Sequence, residues 1–291
     1  MKIIPAGSTE TNTSEGLQGT IGALVNDIQL SDINEDQVVA LQEALHQHSV
    51  LFFRQQSLTP AQHVALAKKF GAIEPMHPFF PFVEQEPQIA KIESRPDSPP
   101  GVSYWHTDMT WQANPPKMSI LHGKIIPPQG GDTIWCSMQK VFSDLPAELQ
   151  NRVREFTCVH ELAAFAGSKY DEVDETGQSS VAKKSVDYPP VDHPMVIEHP
   201  ITGLPVLFIN EQFTQYVKGM DVTESKHLLS TLFAEARRSE HQVRFQWQSD
   251  SVAMWDNFAT QHFAVTDYGA ADRLLHRVTL QGRRLSPFHP Q

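Results

Sequence analysis

Cysteine is almost missing from this chain. Cys136 and Cys158 are the two present, and they form no CxxC pair. That excludes a disulfide framework and a zinc–thiolate site, and leaves two buried reduced thiols as the expectation. A surplus of positive charge is missing too. There are 23 Lys and Arg against 34 Asp and Glu, a formal net charge of −11. A nucleic-acid partner wants a basic face, so that class is set aside. An anionic ligand would also find no global field to steer it, so an anion site has to be built from local arginines. Long apolar runs are absent. No stretch approaches bilayer length, and the start, Met1 to Pro5, lacks a signal-peptide core, so no membrane partner and a cytoplasmic location are expected. Repeats and domain linkers are absent as well. With 291 residues, 40% of them hydrophobic, residues 1–291 are expected to form a single domain with ample core. Whether it assembles into a homo-oligomer, dimer or tetramer, stays open.

What is present is a succession of short strands and a few helices. Residues 6–20 read as an exposed N-terminal segment, and residues 22–30 hold short β-like runs. Ser31 to Glu35 predicts a helix start, with Val38, Leu41 and Leu45 at helical spacing. Residues 49–53 form a buried strand by their branched and aromatic content. Thr59-Pro60-Ala61-Gln62 predicts a capped helix start and Gly71 its end. Strands are expected at 89–92, 118–122, 133–136, 195–198, 205–210, 243–247, 251–255 and 274–280. Helices are expected at 144–156, with Asp144 as cap, and at 223–237, with Leu228, Leu229, Leu232 and Phe233 on one side. Residues 167–190 carry few large apolar side chains and predict a mobile surface loop, or a lid. The pattern suggests an α+β fold with a mainly β core: a β-sandwich or jelly roll with flanking helices.

Two stretches carry chemistry. In Trp105-His106-Thr107-Asp108, read as part of a strand over 102–110, the imidazole and the carboxylate project from the same face. With a second histidine, His262 being the candidate, they make the two-His, one-carboxylate set that holds non-heme Fe(II) and leaves positions open. With fourteen histidines in the chain, one His-x-Asp is a weak signal alone, and a hydrogen-bonded loop pair explains it equally well. The second stretch is Asp272 to Leu280. As a strand it puts Arg273, Leu275, Arg277 and Thr279 on one face, the two arginines about 13 Å apart. In an interior strand both need anionic partners; at an edge both would be solvated.

Taken together, these residues resemble the taurine dioxygenase / 2,4-D dioxygenase family of Fe(II)- and 2-oxoglutarate-dependent oxygenases. The matching stretches lie in order. They are residues 105–108, Gly130-Gly131-Asp132-Thr133, His199-Pro200 with Gly203, Leu207 to Asn210, and Trp255-Asp256-Asn257 followed by His262, Asp267-Tyr268, Arg273 and Arg277. The resemblance implies a double-stranded β-helix, cupin-like, with flanking helices. It implies Fe(II) on His106, Asp108 and His262, with O2 and the cosubstrate 2-oxoglutarate, which becomes succinate and CO2. Arg273 would take the far carboxylate of 2-oxoglutarate by a bidentate pair, with Thr133 adding a hydroxyl. Arg277 and His77 would bind the acidic group of a small anionic organic substrate, and Phe80, Val102, Met109 and Phe213 would line its site. Two departures matter. Phe80 stands where taurine enzymes carry a tyrosine, and Val102 where they carry an asparagine; Phe165-Ala166 also replaces a Ser-Phe pair. An ammonium facing that wall would go unsatisfied, so a sulfonate or alkyl sulfate ester with an apolar tail is expected rather than taurine. A carboxylate substrate such as an aryloxyacetate or amino acid, a non-oxidative metal-binding jelly roll, and a metallohydrolase remain as alternatives; the last two leave Arg273 without a task.

Overall fold

A computed structural model describes residues 1–8 and 17–290, so residues 9–16 of the expected N-terminal segment lie outside the described residues. Strands are numbered in chain order. The larger sheet has eight, running from one edge to the other as β1 (Lys2–Pro5), β3 (Ala23–Asn26), β4 (Val50–Phe53), β15 (Val252–Asp256), β7 (Met118–Ile125), β17 (Arg273–Leu280), β6 (Glu86–Ser94) and β5 (Phe82–Val83). The smaller has four: β16 (Thr260–Ala264), β8 (Thr133–Ser137), β14 (Gln242–Phe245) and β2 (Leu17–Gly19). A three-stranded sheet of β10 (Val191–Pro194), β9 (Thr157–His160) and β13 (Thr214–Val217), and a pair of β11 (Val196–Glu198) with β12 (Pro205–Leu207), complete the β structure. With six α-helices among the described residues, the chain is mixed α/β with sheet predominating.

The pleat explains where the core lies. On β4, Leu51 and Phe53 join the apolar cluster under the helices, while Val50 and Phe52 turn toward the smaller sheet. On β15, Val252 and Met254 go one way, Ala253 and Trp255 the other. Trp135, Val243 and Phe245 of the smaller sheet meet that second face. Two successive side chains on opposite faces therefore feed two cores, one beneath the helices and one between the sheets.

Helix α1 (Glu35–His48) starts from Asn34, whose side chain accepts from the Gln37 amide while the Gln37 side chain accepts from the Asn34 amide. Helix α2 (Pro60–Phe70) has the same reciprocal cap between Thr59 and Gln62, with Pro60 at its first position. The α1 start falls within the expected Ser31 to Glu35, and the Thr59–Gln62 cap of α2 is the one expected.

The helix expected over 144–156 is a correction. Asp144 closes a helix, α3 (Met138–Asp144), rather than capping the next, and accepts a hydrogen bond from His241 at 3.0 Å. Pro146 forces Leu145 into an extended conformation, so α4 (Ala147–Val153) begins afresh without a side-chain cap. Residues 167–190 are not structureless either: they contain α5 (Ser180–Asp187), capped by Ser179, with Val181 buried. The last helix, α6 (Val222–Ala236), packs Leu228, Leu229 and Leu232 inward.

Candidate active site

β17 lies between β7 and β6, an interior position, so its face decides the fate of its arginines. Arg273 and Arg277 are each 4% exposed; the solvated-edge reading fails. Their face is the one shared with Leu275, which packs against the smaller sheet. The site is thus built between the two sheets.

His262 comes from β16 at the edge of the smaller sheet. His106 adds itself to that edge as one bridging residue. Its amide donates to the His262 carbonyl at 3.0 Å, and the His262 amide donates back at 2.7 Å. Side by side in this way, the two imidazoles have ring centroids 4.1 Å apart. The expected strand over 102–110 is therefore a second correction. One residue bridges, and the chain then turns at Asp108, where Met109 adopts a left-handed φ of 54°. For a residue with a side chain such a backbone costs about 1–3 kcal/mol and persists only where its surroundings impose it. The turn, not a pleat, brings the Asp108 carboxylate to the imidazoles.

The Asp108 Oδ1 atom lies 3.8 Å from His106 Nε2 and 3.9 Å from His262 Nε2, and one donor atom of each residue lies within 4.8 Å of the others. These gaps are too long for hydrogen bonds and suit donors spaced around one ion. The chemistry of the set fits Fe(II). His106 Nδ1–H donates to the Tyr104 carbonyl at 2.9 Å, which leaves the Nε2 lone pair free for a metal. Burial disfavours the charged form of both histidines, holding His106 below and His262 well below the ordinary histidine pKa. For Asp108, burial pushes the pKa up. The Arg277 guanidinium, the two imidazoles and the Ser119 hydroxyl outweigh it and bring the pKa down to about 2. Two neutral imidazoles and one carboxylate are the protonation states that ligation requires.

Arg277 Nη1 donates to Asp108 Oδ1 at 2.6 Å, and Ser119 of β7 donates to Oδ2 at 2.9 Å. Arg277 Nε is buried without a hydrogen-bond partner among the described residues. Arg273 donates through Nε and Nη2 to the Gly131 carbonyl, at 3.2 and 2.9 Å. Among the described residues no carboxylate lies within ion-pair distance of it. Nearby Asp132 is taken by Arg244 at 2.7 Å. A buried guanidinium resting on a neutral carbonyl is suited to an anion such as the carboxylate of 2-oxoglutarate. Gly131 is needed for this approach: at φ 74° a Cβ would stand 3.1 Å from Arg273 Nε. Thr133 on β8 is 2% exposed, and its Oγ1 accepts from Trp247 Nε1 at 2.9 Å, which leaves its own proton to donate.

His77 stacks on Phe80 at 4.2 Å, and the Arg277 guanidinium carbon lies 5.2 Å from the Phe80 ring centroid. The Phe79 and Phe80 amides both donate to His77 Nδ1 at 3.2 Å, so the ring proton sits on Nε2. His77, Met109, Arg277 and Thr279 line one small pocket. A wider cleft that His77 also lines has Phe79, Phe80, Phe82 and Tyr170 in its wall, together with charged Glu93, Arg95, Lys169, Glu172 and Lys184. Phe213 packs with Met109, Phe165 and Val181, its ring 6.4 Å from that of His106. Val102 is not brought in; it is 79% exposed on the loop before the motif. Of the pair at 165 and 166, Phe165 is buried and Ala166 exposed. The sequence places Asn257 in the matching stretch Trp255-Asp256-Asn257 without a role, and its side chain holds the Asp108 backbone; Ser119 is not singled out. A lone serine inside the apolar run Met118 to Leu121 was the available signal for Ser119.

With this geometry in hand, the comparisons are specific. The model of the family "Taurine catabolism dioxygenase TauD, TfdA family" matches residues 13–279. An alkylsulfatase of Acinetobacter baylyi is 36% identical over 278 residues, covering 94% of this chain and 86% of the relative. An alpha-ketoglutarate-dependent sulfate ester dioxygenase of Pseudomonas putida is 35% identical over 269 residues, covering 91% and 87%. The crystal structure of a taurine dioxygenase from Burkholderia xenovorans superposes with a TM-score of 0.80 at 34% identity, covering 98% of this chain and 91% of that one. The chain belongs to the taurine catabolism dioxygenase TauD, TfdA family and is an Fe(II)- and 2-oxoglutarate-dependent dioxygenase.

Proposed function

We propose that this dioxygenase hydroxylates a small sulfate ester or sulfonate with an apolar tail, on the carbon next to the sulfur-bearing group, within a double-stranded β-helix (jelly-roll) scaffold. The iron, with 2-oxoglutarate and O2, supplies the C–H oxidation, and succinate and CO2 are its co-products. His106, Asp108 and His262 hold the ion. Arg273 and Thr133 take the far carboxylate of 2-oxoglutarate. Arg277 and the Nε2–H of His77 take the substrate anion and so fix which C–H bond faces the metal. The hydroxylated ester then breaks its C–O bond, giving an aldehyde and sulfate; a sulfonate gives an aldehyde and sulfite.

The observation that carries the substrate class is Phe80 lying between His77, Arg277 and the cleft beyond, with Tyr170 edge-on to it at 4.7 Å. The anion end is cationic and the wall next to it is aromatic. An alkyl tail packed on Phe79, Phe80 and Tyr170 gains about 0.8 kcal/mol per buried CH2, whereas an ammonium held against the Phe80 ring finds no hydrogen-bond acceptor in that side chain. The two sulfate-ester relatives point the same way. A panel of hexyl sulfate, hexanesulfonate, taurine and an aryloxyacetate tests it by succinate formation and oxygen uptake. Hexyl sulfate is expected to exceed taurine in kcat/KM by at least about tenfold, the worth of two buried methylenes. A clear preference for taurine or for the carboxylate overturns the substrate class.

A further inference from the structure

The turn that delivers Asp108 is gripped on both sides of its left-handed residue. On one side, the Asn257 side chain clasps the backbone of Asp108 itself. Its Oδ1 accepts from the Asp108 amide at 2.9 Å, and its Nδ2 donates to the Asp108 carbonyl at 3.0 Å and to the Pro116 carbonyl at 2.9 Å. Asn257 has no exposed surface, and its own amide donates to Lys117, so it has one place to be. On the other side, Thr110 is the hub of a wholly buried network. Asn210 Nδ2 donates to Thr110 Oγ1 at 3.0 Å, and the same hydroxyl is hydrogen-bonded to His160 Nδ1 at 2.9 Å. The other ring nitrogen of His160, Nε2, is hydrogen-bonded to Thr214 Oγ1 at 3.2 Å. His193 Nε2 donates to the Thr110 carbonyl at 2.8 Å. Between the two grips stands Met109, at φ 54°.

We propose that Asn257 and Thr110 are positioning residues. Holding the chain on either side of Met109, they impose its left-handed turn and thereby aim the Asp108 carboxylate at the two imidazoles. The inference rests on the reading of His106, Asp108 and His262 as the metal ligands. Neither residue touches the metal or the substrate; each acts through the backbone. A methionine would relax toward negative φ if either grip were cut, and the carboxylate would swing away from His106 and His262.

The test is Mn(II) binding to the full-length protein, without oxygen or 2-oxoglutarate, read by the free-ion EPR signal. Thermal melting of the metal-free protein is recorded beside it. Wild type is expected to bind one ion, and Asp108→Ala to lose it; if Asp108→Ala binds as wild type does, the ligand reading itself fails. Thr110→Val removes the hydroxyl at constant shape, and Asn257→Asp keeps the acceptor but loses the donor. Each is expected to weaken Mn(II) by about 10–100-fold. Thr110→Ser, which keeps the hydroxyl, is expected to stay within about threefold of wild type. Glycine takes a left-handed backbone without constraint. Met109→Gly placed on Thr110→Val is therefore expected to recover at least about tenfold in affinity. Wild-type affinity in Thr110→Val together with a lowered melting temperature overturns the proposal, since the hydroxyl then serves the core alone. No recovery in the double variant overturns it equally. If Thr110→Val does not fold, Asn257→Asp decides by the same comparison.

Discussion

Arg273 shows how far one buried side chain constrains its ligand. It has five donors, and its hydrogen-bonded partner is the neutral Gly131 carbonyl. Burial lowers its pKa against the opposing pull of Tyr268 and Asp132, yet a guanidinium stays protonated at any working pH. A planar fork suits a carboxylate in a way that an ammonium does not. Arg273→Lys keeps the charge and loses the fork, so the KM for 2-oxoglutarate is expected to rise at least about tenfold. Thr133→Val removes one neutral hydrogen bond and is expected to cost about fivefold. Succinate formation at varied 2-oxoglutarate measures both, and an unchanged KM in Arg273→Lys removes that arginine from the cosubstrate site. Two arginines four positions apart are read onto one face in a sequence because the period of a strand is two. Ser119 stands out as a lone serine in an apolar run, but nothing local says that it meets a carboxylate from a distant turn.

At the scale of elements, legibility followed locality. The starts of α1 and α2 were readable because both partners of each cap lie within four residues. The break at Pro146 is equally local but competes with a helical pattern on either side. The turn at Met109 was not readable at all. A methionine has no preference for positive φ, and the groups that impose it, Asn257, Asn210 and His160, lie far off in sequence. Within 167–190 the helix α5 was missed for a related reason: it is short, and what orders it comes from elsewhere. Asp171 accepts from Gly167, Ser179 and Val181, and Val181 sits among Phe165, Phe213 and Trp111. Lys184 of α5 donates to the Pro78 carbonyl and lies 4.3 Å from the Phe79 ring centroid. It thus ties α5 to the loop that carries His77. Lys184→Met cuts the hydrogen bond and the cation–π contact, each worth about 1 kcal/mol. The KM for the sulfate ester is expected to rise about fivefold or more, with the KM for 2-oxoglutarate unchanged. Equal changes in both would show that α5 supports the fold as a whole rather than the substrate side.

Over the whole molecule, the wealth of buried histidine makes stability depend on pH. Away from the site, His63 of α2 is 1% exposed, its ring edge-on to His122 at 5.9 Å. Burial, then the proximity of His122 and His276, lowers its pKa to about 3; burial brings His122 and His276 to about 4. In the unfolded chain each histidine would titrate near its ordinary value of 6.5. Above that pH both states are neutral, and these groups contribute no pH dependence. Below it the unfolded chain takes up protons that the folded chain refuses, so stability falls as the pH falls. Carboxylates with depressed pKa values act in the same direction but enter only below about pH 4. The window between about pH 6.5 and 4.5 therefore belongs to the histidines, and His63 alone contributes about 1.4 kcal/mol per pH unit there. Chemical unfolding of metal-free protein across this window is expected to show stability rising with pH, and His63→Leu to remove about 1.4 kcal/mol per unit from that slope. An unaltered slope in the variant would mean that the folded protein admits the proton at His63, through local opening between α2 and the larger sheet. In that case the core beneath the helices is looser than its burial implies.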